Sequence, residues 1–91
     1  MSTTVTVHVV SRDADRALMR VLVRCHARGW VPIAVRSDAD GDRCEIALRL
    51  RVHGDRRGSA EQVRTQLARI VGVERVVIGI VSGAVPEVRS A

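Results

Sequence analysis

The sequence predicts an α+β fold in which a four-stranded antiparallel sheet carries two helices on one face. Two observations support this: the apolar periodicity switches twice between strand and helix spacing, and Gly29 and Gly72 follow the two helical segments at equivalent places. The elements therefore run β-α-β twice. Two right-handed βαβ crossovers fit together most simply when their strands alternate in one four-stranded sheet. We expect a ferredoxin-like βαββαβ sandwich with a single core between sheet and helices.

The first half of the chain has the pattern of a strand, a helix and a strand. Valines alternate with polar residues over Thr4–Val10, as in a half-buried strand. Helical apolar spacing then predicts a helix at about 14–28 that ends at Gly29. A second strand is predicted over Trp30–Arg36. Because Pro32 cannot donate to a sheet ladder, we expect this strand at an edge of the sheet.

The second half repeats this order after a turn. An Asp-Gly pair within Asp38–Asp42 predicts a hairpin turn. The strict alternation of apolar and polar residues from Cys44 to Val52 predicts the third strand. Gly54–Gly58 is predicted to be a loop, and Ser59–Gln62 has the pattern of a capping box, which would begin the second helix.

The second helix and a last strand complete the predicted domain. The apolar stripe expected on this helix consists of Val63, Leu67, Ile70 and Val71. The helix is expected to end at Gly72, and Val73–Val81, apolar on both faces, predicts the final strand. We expect one domain over residues 1–82 and a flexible tail over 83–91.

The composition is that of a small soluble domain. With 91 residues the chain buries a modest core, so self-association would help it. No apolar run approaches the roughly 20 residues that span a membrane, and the N-terminus lacks a signal-peptide pattern. We therefore expect a cytoplasmic protein, with Cys25 and Cys44 as reduced thiols in the core.

The sequence shows no pattern of catalytic or metal-binding residues. Asp38–Asp42 resembles the start of a calcium loop, but its glycine lies two positions early and Arg49 occupies the place of the closing glutamate. Cys25 and His26 are helix neighbours that point about 100° apart, which makes them a poor chelate or catalytic dyad. We expect no catalytic residue, no metal site and no cofactor.

An arginine stands at every fourth position of the first helix. These arginines are Arg16, Arg20, Arg24 and Arg28. They share roughly 120° of helix surface, and like charges at this spacing repel by a few tenths of a kcal/mol per pair. A solvated helix side, a docking surface for an acidic partner and a nucleic-acid contact all fit the pattern. Nucleic acid is disfavoured because Trp30 is the only aromatic residue, whereas RNA-binding domains of this fold stack bases on aromatic side chains.

Two segments of the chain form a recognisable pattern, namely VTVHVVSRDADRALMRVLVRCHARGWVPIAV and VRTQLARIVGVERVVI. Together they resemble the ACT domain, the small ligand-sensing module of amino-acid metabolism. The similarity is greatest to the small regulatory subunit of acetolactate (acetohydroxyacid) synthase. The first helix of that family reads Leu-x-Arg-Val and later Arg-Gly-aromatic, which correspond here to Leu18–Val21 and Arg28–Trp30. The resemblance covers about residues 4–81.

The resemblance implies a non-catalytic accessory subunit of acetolactate synthase in branched-chain amino-acid biosynthesis. Its partner would be a catalytic large subunit that holds thiamine diphosphate, a divalent metal and FAD. Family members form homodimers, which implies pairing through the edge strand Trp30–Arg36, with amino-acid effector sites at the seam. Two other functions remain open: a stand-alone ACT sensor that regulates a different enzyme, and a nucleic-acid-binding ferredoxin-like domain.

The resemblance also implies where an effector and a partner would bind. Effector-sensing members carry Asn-x-Pro-Gly just before the first leucine pair, where this chain has Asp13, Asp15 and Arg16. Because arginine replaces glycine, we expect no tight binding of valine. The candidate effector positions are Asp13, Arg16, Val31 and Pro32. The candidate docking residues are Arg20, Arg24 and Arg28 on the helix, and Arg49 and Arg51 on the sheet face, which we favour.

Overall fold

The computed structural model describes residues 2–54 and 56–81, which form the six predicted elements in the predicted order. The elements are β1 (Ser2–Ser11), α1 (Ala14–Ala27), β2 (Val31–Asp40), β3 (Arg43–His53), α2 (Arg56–Ala68) and β4 (Val73–Val81). The strands lie in the order β2-β3-β1-β4, and all neighbours are antiparallel. This arrangement confirms the ferredoxin-like fold class. The predicted tail, 83–91, lies outside the described residues.

The core lies between one face of the sheet and the two helices. Along β3, buried and exposed residues alternate without exception, so that Cys44 through Val52 contribute every second side chain to the core. Helix α1 packs on β2 and β3, and α2 packs on β1 and β4. A strand with one buried face requires this period of two, which is why the sequence pattern identified β3 correctly.

Strand β2 is an edge strand, as Pro32 predicts, and all ten of its residues are exposed. Its pairing with β3 shifts register between Pro32 and Ala34. The predicted turn over Asp38–Asp42 is too long, because the strand continues to Asp40, which pairs with Arg43. The loop therefore has two residues, and Gly41 (φ 64°) adopts the left-handed conformation that such tight hairpin loops require.

Helix α2 begins earlier than the sequence predicts. The predicted loop Gly54–Gly58 is too long and the predicted capping box at Ser59 is wrong, because α2 begins at Arg56. Ser59 lies within the helix, buried, and its hydroxyl donates to the carbonyl oxygen of His53 at 2.9 Å. This hydroxyl therefore fastens α2 to the end of β3 instead of capping the helix.

The apolar stripe of α2 is shorter than predicted. Val63 and Leu67 are buried as predicted, and Ile70 is buried although it lies two residues beyond the end of α2. Val71 is 76% exposed, because α2 ends at Ala68 and the chain turns away from the helical path before residue 71. Extending the helical periodicity past the end of α2 therefore wrongly predicts that Val71 lies in the core.

Both cysteines are free and buried, as the sequence predicts. Burial in the apolar core raises the pKa of the Cys25 thiol to about 11, because a thiolate there would lose its hydration. The thiol is therefore protonated near neutral pH. No helix in the described ranges is long and apolar enough to cross a membrane.

Candidate functional site

The junction between β1 and α1 is held against the junction between α2 and β4. The fully buried Ser11 hydroxyl donates to the carbonyl oxygen of Gly72 (3.1 Å) and accepts the backbone N–H of Asp13 (3.2 Å). The backbone N–H of Arg12 donates to the same carbonyl oxygen at 2.9 Å. These bonds determine where Asp13, one of the candidate effector residues, stands at the start of α1.

The carboxylate of Asp13 has a cationic neighbour in its own chain. The Arg20 guanidinium lies 3.5 Å from Asp13 Oδ2 and also donates to the carbonyl oxygen of Val71 at 3.3 Å. Arg16 is exposed, and its side chain makes no ion pair or hydrogen bond with any residue in the described part of the chain. Among the described residues at this junction, Arg16 is therefore the arginine whose charge is not offset by a nearby carboxylate.

The structure does not bring the four candidate effector positions together within one chain. Pro32 pairs with Leu50 and thereby lies level with Val5, near the start of β1. Asp13 follows Ser11 at the other end of that strand. Six residues of strand correspond to about 20 Å. The Asp13 and Arg16 pair and the Val31 and Pro32 pair therefore lie at opposite ends of the sheet.

The central arginines of α1 bind α2 and the turn that follows it. Arg24 donates to both the carbonyl oxygen (3.2 Å) and Oε1 (3.3 Å) of Gln66, and Arg20 donates to Val71 as described above. Both side chains are half-buried, whereas Arg16 and Arg28 are exposed. The four-residue spacing could not show this, because it contains no information on where α2 lies. A docking role for Arg20, Arg24 and Arg28 stays a prediction.

We expect Arg24→Met to lower the free energy of unfolding by about 1 kcal/mol, because it removes two partly shielded hydrogen bonds from a cation. Methionine keeps the length and helix propensity of the side chain. Arg28→Met, on the exposed end of the same helix, is the matched control and should change stability by less than about 0.5 kcal/mol. Urea denaturation measures both. Equal effects would show that the contact with Gln66 contributes nothing.

An apolar surface lies along the outer flank of α1. Met19 and Val23 are 70% and 62% exposed, and with Leu18, Leu22 and His26 they line a groove of about 370 Å³. Helix α1 packs on β2, which exposes further apolar side chains. These are Val31, Ile33 and Val35. We call the exposed residues of this margin, Met19, Val23, Val31, Ile33 and Val35, the α1–β2 flank.

The open face of the sheet, opposite the helices, contains the other candidate docking residues. Arg49 and Arg51 are exposed there, as the alternation of β3 predicts. A trough of about 560 Å³ crosses this face over Ala47. His8 Nε2 lies 3.3 Å from Glu45 Oε1 on the same face. Among the described residues, no group of three His, Cys, Asp or Glu side chains could hold a metal ion.

No protein-family model matches the chain, and no curated protein matches it. Several solved structures are similar. The ACT domain of GTP pyrophosphokinase from Chlorobium tepidum is 12% identical with a TM-score of 0.72, over 86% of this chain and 99% of that chain. The C-terminal domain of the MgtC protein from Mycobacterium tuberculosis is 20% identical with a TM-score of 0.65, over 86% of each chain.

An uncharacterized protein from Thermotoga maritima is also similar in structure. It is 17% identical with a TM-score of 0.68, over 90% of this chain and all of that chain. At these identities the likeness shows the fold alone, because one fold serves many functions. This chain has an ACT-like fold.

Proposed function

We propose that the protein is a non-catalytic regulatory module that forms a homodimer through β2 and binds an amino-acid-like effector at the seam. One observation carries the proposal: the two halves of the candidate effector site lie at opposite ends of the sheet. Strand β2 runs between them, and it is an edge strand of the described sheet. Pairing two copies at this edge would join one half from each copy.

The margin around β2 has the properties of an interface between copies. Within the part of the chain that the structure describes, no strand lies beside the outer backbone donors and acceptors of β2, and such an edge pairs readily with another strand. The α1–β2 flank adds exposed apolar side chains from both the strand and the helix. A chain of this size also buries a limited core, so apolar burial between copies would stabilise it.

Antiparallel pairing of two β2 strands would complete the site. In such a pair the start of one strand lies beside the end of the other. The end of β2 adjoins the β1–α1 junction, because the backbone N–H of Ala14 donates to the carbonyl oxygen of Asp42 at 3.2 Å. Asp13 and Arg16 of one copy would therefore approach Val31 and Pro32 of the second copy.

The charges at this seam favour an effector with a free carboxylate. Arg20 offsets the charge of Asp13, and Arg16 offers an exposed guanidinium, the group best suited to bind a carboxylate. By the resemblance to effector-sensing ACT domains, the same arginine would occupy space that their glycine leaves open. The effector class is therefore a carboxylate-bearing metabolite other than valine.

We expect the wild-type protein to sediment as a dimer at tens of micromolar. Val35→Glu places a charge on the exposed edge strand and should convert the dimer to a monomer, because pairing would have to remove water from a carboxylate among the apolar side chains of the α1–β2 flank. Val77→Glu is the matched control, since Val77 is similarly exposed on β4, at the opposite edge of the sheet. A monomeric wild type, or a dimer that survives Val35→Glu, contradicts pairing through β2.

The finer proposal is that the regulated enzyme is acetolactate synthase. It is supported by the resemblance at Leu18–Val21 and Arg28–Trp30. Adding the dimer to the catalytic large subunit should raise the rate of acetolactate formation. An unchanged rate would favour the second candidate, a sensor for another enzyme, which is consistent with the similar ACT domain of GTP pyrophosphokinase.

A further inference from the structure

Strand register determines which side chains are neighbours on the open face of the sheet. One row across β2, β3 and β1 consists of Arg36, Ala47 and His8, and the next row consists of Ala34, Arg49 and Thr6. Each arginine thus lies opposite an alanine, and the two arginines occupy diagonal positions. Diagonal neighbours are about 7–8 Å apart, which is close enough for one anion to contact both guanidinium groups.

These arginines are not neutralised by the chain itself. Among the described residues, Arg49 and Arg51 make no side-chain hydrogen bond or ion pair. Arg36 Nε lies 4.0 Å from Asp38 Oδ2, and because both side chains are largely exposed this contact contributes little. A carboxylate placed between Arg36 and Arg49 would relieve their mutual repulsion.

Small residues make the floor of the trough low. Ala34 and Ala47 lie between the arginines, and Gly79 of β4 continues the floor on the far side of β1. At Gly79 the missing side chain makes room for Thr6, whose hydroxyl donates to the Gly79 carbonyl oxygen at 3.3 Å; a Cβ at Gly79 would lie 2.7 Å from Thr6 Oγ1. The trough crosses four strands, or about 14 Å at 4.8 Å per strand spacing, which is the length of four to five extended residues.

We infer that this trough binds an extended acidic segment of a partner protein, with one carboxylate held between Arg36 and Arg49. The open face carries five arginines (36, 43, 49, 51 and 75) against Asp38, Asp40 and Glu45. A second copy of this chain is a poor occupant because two such faces would repel each other. RNA is a poor occupant because the face has no aromatic residue among those described.

The inference deepens the proposed function and rests on it in one respect, that the acidic segment belongs to the enzyme under regulation. The trough lies on the sheet face, whereas the proposed effector seam lies at the edge strand. Dimer formation and peptide binding are therefore separate measurements, and either can fail alone.

The test uses a fluorescein-labelled peptide of alternating alanine and glutamate, an otherwise identical glutamine peptide, and a short oligothymidylate. We expect the glutamate peptide alone to bind at low salt. Arg36→Gln with Arg49→Gln should weaken its binding by about ten-fold or more, since both cations contact the same carboxylate. Ala47→Leu should weaken it comparably, because leucine fills the floor while the charges remain.

The control is Arg28→Gln with Arg69→Gln, which removes the same net charge from exposed positions outside both the trough and the proposed effector seam. Its peptide affinity should stay within about two-fold of wild type at moderate salt. Equal losses in both double variants, or binding of oligothymidylate without the peptide, would overturn the inference. Sedimentation of the same samples keeps the results separate: a monomer that still binds the peptide contradicts the proposed dimer and leaves the trough assignment standing.

Discussion

Replacing Gly72 with alanine is expected to lower the free energy of unfolding by about 2–4 kcal/mol, from two added costs. Gly72 has φ of 93°, and a side chain in this left-handed region costs roughly 1–2 kcal/mol. The new Cβ would also lie 3.2 Å from Cβ of Asp13 and 3.4 Å from Oγ of Ser11. Ser11 is fully buried and hydrogen-bonded, so it cannot move away without cost.

Gly29→Ala separates these two costs. Gly29 has φ of 76°, but a Cβ there meets no atom within 4 Å, so only the backbone cost of about 1 kcal/mol remains. Urea denaturation of both variants gives the difference directly. If the two variants were equally stable, the contact between Gly72 and the β1–α1 junction would not restrain that junction. The proposed position of Asp13 at the effector seam would then lose its structural basis.

Leu67→Ala is expected to lower the free energy of unfolding by about 2–5 kcal/mol, because it leaves a cavity in the core. Leu67 is fully buried between α2 and the sheet. Val71→Ala, four residues further on, should change stability by less than about 0.5 kcal/mol, because Val71 is exposed. Helical periodicity assigns both residues to the same buried stripe, so the pair tests where the helix ends.

Thermal and urea unfolding of the two variants provide the measurement. A large loss of stability for Val71→Ala would mean that this side chain is covered in solution, which would indicate an additional interface between copies. A small loss for Leu67→Ala would contradict the position of α2 over β1 and β4.

Several parts of the fold could be predicted from the sequence because a local physical constraint determines them. The alternation in β3 follows from one buried and one exposed face, and it predicted the strand and its buried residues correctly. Val73–Val81 matches β4 in full. Pro32 correctly predicted the edge strand, since a residue without an N–H weakens an internal ladder.

The start of α2 and the hairpin turn were predicted less well, because a local pattern fits more than one structure. Ser59–Gln62 matches a capping box, yet Ser59 donates to His53 across a tertiary contact. Asp38–Asp42 matches a turn, yet the ladder between β2 and β3 continues to Asp40. In both places, hydrogen bonds to a neighbouring element override the local preference.

By itself the sequence determined the fold class, the order of the elements and most of the core, because these follow from the period of the apolar residues along the chain. Only the tertiary structure decided which charges are free. Arg20 and Arg24 share a stripe with Arg16 and Arg28, but α2 lies beside the central pair and binds it. Strand register, which no single segment contains, likewise places Arg36 and Arg49 diagonally over two alanines. The physical reason is that hydrogen bonds and charges act between elements that are distant in sequence, and their partners become defined only when those elements pack.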